Sequence, residues 1–188
     1  GPIELQRIQE VEKQFKVNFL TPVLIIQTLL PLIRKKSGKI INMSSIVGYN
    51  VFPFYGTYSA TKHAIECITE SLYYEVRNFD VQVCAVQPGG FKTDFNLNSI
   101  LVKDTHKQFF PYKIRYKKFL KFLLYLQEKV EKNPEVVAEI VIKLCSQKKI
   151  PLRVRIGFEA HLNWFIKSWV PDIIRVKCQN WLYSTFLY

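Results

Sequence analysis

At 188 residues, with 48% hydrophobic and 14% aromatic side chains, the chain can bury one substantial core; seven glycines and nine prolines exclude a disordered or collagen-like composition. The net charge of +12 raises nucleic acid or an anionic membrane as partners, but the basic residues are spread along the chain and no nucleic-acid motif accompanies them. Four cysteines without a CxxC pair and three scattered histidines exclude a metal site and fit the reduced, mostly buried thiols of a cytoplasmic protein.

Ile8 to Ile33 reads as one long helix, polar first and apolar later. Its most apolar run, from Phe19 to Ile33, is interrupted by Thr21, Pro22, Gln27 and Pro31. That run is too short and too punctuated for a membrane span, which predicts a buried helix. Ser37-Gly38 breaks the pattern, and Lys39 to Met43 follows as a short buried strand. After a loop from Ser44 to Phe54, Tyr58 to Asn78 has a helix's length, with Ala64, Ile65, Ile68, Leu72 and Val76 on helical spacing.

Val81 to Val86 is a second β-branched run, ended by Pro88-Gly89-Gly90. Two short strands joined by a long helix form a βαβ unit, hence a parallel sheet. Phe95 to Lys132 is aromatic and basic, with helix expected in its second half. Asn133-Pro134-Glu135 starts another helix, running on through Ser146, and Arg153 to Gly157 reads as a third strand. The tail holds two amphipathic helices split by Pro171, and Leu162, Phe165, Ile166, Trp169 and Val170 line one face of the first. The whole is the later half of an open α/β sheet, in which ligands bind beyond the carboxyl ends of the strands. Here those ends are Ser44-Ser45 and Pro88-Gly89-Gly90, expected to face one crevice.

Tyr58 and Lys62 stand four residues apart, so a helix sets a phenol and an ammonium on one face. A nearby cation stabilises phenolate and lowers a tyrosine pKa from about 10 toward neutrality, fitting it for proton transfer. The spacing alone is weak, because Tyr125 and Lys129 repeat it on what reads as an exposed helix face. Context separates the two. Only Tyr58 has a serine pair at a strand end before it and a Pro-Gly turn after the next strand.

In that context the segment NMSSIVGYNVFPFYGTYSATKHA resembles the active-site region of the short-chain dehydrogenase/reductase family. The family places a serine thirteen residues before the tyrosine of Y-x-x-x-K, and Ser45 stands there. VNFLTPV is similar to the helix carrying the family's catalytic asparagine, which maps to Asn18. VQPGGFKT is similar to its P-G-x-x-x-T cofactor turn, giving Pro88, Gly89 and Thr93. The likeness runs in order from Ile3 to Asp94.

The resemblance implies a partial Rossmann-like doubly wound parallel sheet with a C-terminal helical extension, and an NAD(P)-dependent oxidoreductase interconverting an alcohol and a carbonyl. Tyr58 would transfer the proton, and Lys62 would lower its pKa and bind the nicotinamide ribose. Ser45 would stabilise the developing alkoxide, and Asn18 would hold a relay water. Tyr58, Lys62, Pro88, Gly89 and Thr93 would contact NAD or NADP, between which nothing in the sequence chooses. Plainer roles are open to the same residues. Ser44 or Ser45 could cap a strand end, Asn18 could be a buried structural amide, and Thr93 could cap a helix, with Asn42 and Asn50 as loop or turn residues.

The seven glycines (1, 38, 48, 56, 89, 90, 157) make no glycine-rich phosphate loop. The expectation is therefore a fragment, inactive alone, of a full-length enzyme: residues 1–94 as the catalytic part of the domain, and 95–188 as substrate lid, last strand and C-terminal helices of that domain. The alternative is a truncated chain that only binds or assembles. The Phe, Tyr and Leu density of 95–126 points to a small hydrophobic substrate of lipid, sterol or retinoid type, or equally to a packed helix pair. Trp164, Trp169 and Trp181 in a basic tail raise attachment to a membrane surface, against simple core packing. By family likeness the helices Ile8–Ile33 and Tyr58–Asn78 would form a homodimer or homotetramer.

Overall fold

The computed structural model describes residues 1–91, 111–129 and 133–187. Among these, three strands form one parallel sheet in the order β1 (Lys39–Met43), β2 (Gln82–Pro88), β3 (Arg153–Ile156). Ile40 lies opposite Val83 in the first pair, and Val86 opposite Val154 in the second. The chain begins with α1 (Ile8–Phe15), a π-helical turn at Lys16–Leu20 and α2 (Thr21–Lys35), a continuous helical run. Then come α3 (Gly56–Val76) between β1 and β2, α4 (Lys113–Lys129), and α5 (Glu135–Ser146) before β3. Finally α6 (Phe158–Trp169) and α7 (Asp172–Leu187) close the chain, split at Pro171 as the sequence predicts.

Alternation along β2 explains the layering. Successive side chains point to opposite faces of a sheet, so Val83 joins Ile26, Ile40, Leu72 and Val76 on the side of α2 and α3. Cys84 and Val86 join Leu144 and Ile156 on the other, where Val137, Ile140 and Val141 of α5 cover them. β2 is flanked by both other strands and covered on both faces, and Val83 through Gln87 are all buried, as a central parallel strand requires. Arg153 on β3 reaches α3, its Nε 3.0 Å from Glu66 and its Nη2 2.5 Å from Glu70. The Lys39 ammonium donates to the carbonyls of Leu144, Cys145 and Gln147, pinning β1 to the end of α5 where a cation suits the helix dipole. Between β3 and α6, Gly157 takes φ 102°, a backbone state that side chains disfavour.

Four expectations are corrected. The helix from Ile8 to Lys35 is long and apolar enough by composition to cross a membrane, yet it is not the buried helix predicted: only Ile26 is buried. It packs on β1 and α3 along one side alone, and β1 is the edge strand, so Val17, Leu24, Ile25 and Leu32 face out. The apolar face of α6 is likewise outward: Leu162, Phe165 and Trp169 are exposed, because α6 touches β3 and α7 with its other side. The thiols are free, but only Cys84 is buried; Cys67, Cys145 and Cys178 sit on outward helix positions. Asn42 is not a loop residue but lies on β1, whereas Asn50 does sit in the loop before α3; both amides are buried, Asn42 donating to Thr69 Oγ1 at 2.9 Å and Asn50 to Asn163 Oδ1 at 2.8 Å. A buried amide needs such partners, which only the fold supplies.

Candidate active site

The site lies at the carboxyl ends of β1 and β2. Ser44 continues the β1–β2 ladder through a bond from its N–H to the Val86 carbonyl (2.8 Å), so Ser45 emerges at the end of the strand. Ser45 is extended (φ −171°, ψ 166°), and its Oγ accepts from the Val47 N–H at 3.4 Å, opening a short 3-10 turn at Ile46–Gly48. Ser45 thus caps the start of this turn rather than the strand end. Gly48 is required there by contact: a Cβ would fall 2.5 Å from Ser44 Oγ and 3.0 Å from Glu66 Cγ.

Tyr58 and Lys62 sit in the first two turns of α3. The Ser45 hydroxyl beside the Tyr58 phenol favours its ionised form. Burial works the other way and more strongly, and with Tyr55 alongside it pushes Tyr58 up to about 12. The expected lowering toward neutrality is not found in this arrangement. The Lys62 ammonium donates to the Met43 carbonyl at 2.8 Å and lies 5.8 Å from the Tyr58 ring centroid. Burial also lowers the Lys62 pKa.

Asn18 falls on the π-helical turn, a feature that frequently marks functional positions in helices. Its amide donates to Thr61 Oγ1 at 3.2 Å, and Thr61 donates to the Tyr58 carbonyl at 2.7 Å. The turn is thus tied to the stretch of α3 between Tyr58 and Lys62. Asn18 and Lys62 also border one open groove along β1, about 450 Å³, with Ile25, Leu29 and Met43.

At the end of β2, the Gly89 N–H donates to the Ile156 carbonyl at 2.9 Å and the Gly90 N–H to Glu159 Oε1 at 3.0 Å. A Cβ on Gly89 would stand 2.3 Å from that carboxylate oxygen, so this turn and α6 meet closely. Thr93 lies outside the described residues. Tyr125, on the competing Tyr–Lys pair, is a half-exposed residue of α4, while the side chain of Lys129 is outside the described residues.

One wall carries no motif. Phe119 is 1% exposed and Tyr116 3%, and both rings meet Phe54 edge-on at 5.3 and 5.4 Å. Phe119 also meets Tyr55 (5.8 Å), whose ring lies 6.0 Å from that of Tyr58. Aromatic side chains from α4 therefore continue into the surroundings of Tyr58. Thr61, Glu159 and this aromatic wall have no spacing signal, because each acts through a partner distant in sequence. The one cue for the wall is the aromatic density around 110–120.

The described residues bring an ammonium, two hydroxyls and a close glycine turn to two neighbouring strand ends. That set fits the nicotinamide-ribose end of a dinucleotide, whereas a glycine-rich pyrophosphate cradle is not among them. The short chain dehydrogenase family model matches residues 1–101.

The chain belongs to the short-chain dehydrogenase/reductase family. It is 37% identical over 177 residues to 3-ketodihydrosphingosine reductase of Bacteroides thetaiotaomicron, covering 92% of this chain and 64% of the relative. It is 28% identical over 185 residues to 17-beta-hydroxysteroid dehydrogenase type 6 of Rattus norvegicus, covering 94% and 58%. Among solved structures, a short-chain dehydrogenase from Streptomyces avermitilis superposes with a TM-score of 0.73 at 25% identity, over 98% of this chain and 65% of that one. The chain thus spans about two-thirds of the length of such short-chain dehydrogenases.

Proposed function

We propose that the native protein is an NAD(P)-dependent oxidoreductase interconverting an alcohol and a carbonyl on a hydrophobic substrate, with Tyr58 as its proton donor and acceptor. The observation that carries the reading is the convergence of the Ser45 and Tyr58 side chains at the carboxyl end of β1, with Lys62 one turn further along α3. When bound, the nicotinamide supplies or takes the hydride. Lys62, Pro88 and Gly89, with Thr93, are the residues proposed to hold its ribose end. Tyr58 Oη passes the proton to or from the substrate oxygen, and the Ser45 hydroxyl donates to that oxygen as negative charge develops. Asn18, tied to α3 through Thr61, holds the π-turn beside Lys62 and keeps a polar path to the ammonium.

The hydrophobic substrate is supported by the aromatic wall of Phe54, Tyr55, Tyr116 and Phe119 beside Tyr58. The relatives' names fit as well, since one reduces a ketodihydrosphingosine and another acts on hydroxysteroids. We read residues 1–94 and 95–188 as stretches of one domain. β3 pairs with β2, and Arg153 joins Glu66 and Glu70 across the division. The uncharged outer face of α2 is proposed to bury itself in a homo-oligomer.

Reduction of a long-chain ketone by the native protein, followed through NAD(P)H oxidation, tests the reading. Tyr58→Phe is expected to lower kcat by roughly 10²–10⁴-fold, the range for a lost general acid or base. Full turnover by that variant would overturn the assignment. Native protein that binds no NAD(P)H would instead support a chain that only binds or assembles.

A further inference from the structure

We propose that α4, α6 and α7 together form a surface that docks the protein on an anionic lipid bilayer. The proposal stands on exposure and charge, independently of the catalytic reading. In α6, Phe158, Leu162, Phe165 and Trp169 recur at helical spacing on one face, and all four are exposed, Trp169 by 71%. In α7, Ile173, Ile174, Trp181 and Leu182 form a second outward stripe, Trp181 exposed by 70%. Lys177 sits within that stripe, one turn before Trp181. Both helices contact each other, and α7 packs on α4. On α4 the outward residues Ile114, Leu124 and Tyr125 alternate with exposed Lys117, Lys118 and Lys121.

Among the described residues, core packing does not account for these side chains, since the inner face of α4 is occupied by Tyr116 and Phe119 and that of α7 by Arg175, Gln179 and Tyr183. Exposed apolar stripes of this kind on neighbouring helices mark an interaction site. Its chemistry favours lipid over a second copy. Indole rings settle at the headgroup level, where apolar and polar surroundings meet, and lysines between them keep their charge in water while their stems lie along the apolar surface. Five of the nine residues from Lys113 to Lys121 are Lys or Arg and none is acidic, in a chain of net charge +12. Two such faces would repel each other, whereas anionic headgroups attract each of them. The neutral face of α2, with no charged residue from Val17 to Ile33, is the one suited to self-association.

Sedimentation of the purified chain with vesicles of phosphatidylcholine, alone or with roughly a quarter phosphatidylserine, tests this. Binding is expected on the anionic vesicles and to fall steeply as salt shortens the Debye length from about 10 Å to about 3 Å. Trp169→Glu with Trp181→Glu should lower the bound fraction about tenfold with an unchanged circular dichroism spectrum, since both rings are outward. Lys117→Glu, Lys118→Glu and Lys121→Glu together should weaken binding on anionic vesicles. Brominated lipids should quench the tryptophan fluorescence of the unmodified chain, a readout that needs no variant. Leu24→Glu on α2 should disturb sedimentation velocity and leave vesicle binding unchanged. The proposal is overturned if the chain stays in the supernatant with anionic vesicles, or if the double tryptophan variant binds as well as the wild type. It is equally overturned if that variant only dissociates an oligomer, or if Leu24→Glu abolishes vesicle binding.

Discussion

Tyr58 shows how burial and hydrogen bonding compete at a single phenol. Burial raises its pKa from 10 to about 12 although Ser45 pulls in the opposite direction. Between those two pH values the unfolded chain has released the proton and the folded chain still holds it. Folding then binds the extra proton, so stability present below pH 10 is lost as pH rises through about 12. Urea unfolding measured across that window should show a shallower decline for Tyr58→Phe than for the wild type. Gly48 is a second position where one atom decides. The atoms facing its missing Cβ are Ser44 Oγ, just past β1, and Glu66 Cγ and the Lys62 carbonyl on α3, which close on it from two sides. Gly48→Ala should therefore cost about 1–3 kcal/mol in urea denaturation, the range for overpacking a close site.

Among elements, the link between β3 and α3 carries the most testable consequence. Arg153 pairs with Glu66, whose side chain is 9% exposed, and with the more open Glu70. Removing Arg153 leaves the Glu66 carboxylate nearly buried without its cation, which is costlier than losing a surface pair. Arg153→Met is expected to destabilise by about 2 kcal/mol in equilibrium unfolding, with Glu66→Gln in the same chain recovering part of the loss. Glu70→Gln should recover little, because water screens that partner. The element boundaries themselves were largely legible. Lys39–Met43 and the break at Pro171 appear where β-branched runs and proline predict them. What periodicity could not say was which apolar face would be covered. A stripe such as Leu162, Phe165 and Trp169 looks the same whether it meets a sheet or solvent.

For the molecule as a whole, burial sorts groups that look equivalent in sequence. Cys84 lies on the central strand with 0% exposure, and burial pushes its thiol up to about 11; Cys67, Cys145 and Cys178 are exposed. A thiolate is the reactive species, so at neutral pH the three outward cysteines should react with Ellman's reagent in the native chain. Cys84 should react only after denaturation. A fourth thiol reacting at the native rate would mean that the β2–α5 core opens readily.

By itself the sequence determined the parallel α/β order through local periodicity, and through its resemblance the family, with Ser45, Tyr58 and Lys62 as the residues proposed for the site. The tertiary structure alone decided how those groups are held. Lys62 turns to the Met43 carbonyl, Asn18 reaches α3 through Thr61, and Glu159 closes on Gly89 and Gly90. It also decided that Tyr58 is raised rather than lowered in pKa, and that the tryptophans of the tail face outward. The physical reason is common to all of them. Desolvation and partner geometry depend on what other elements place nearby, and no spacing in the chain records that.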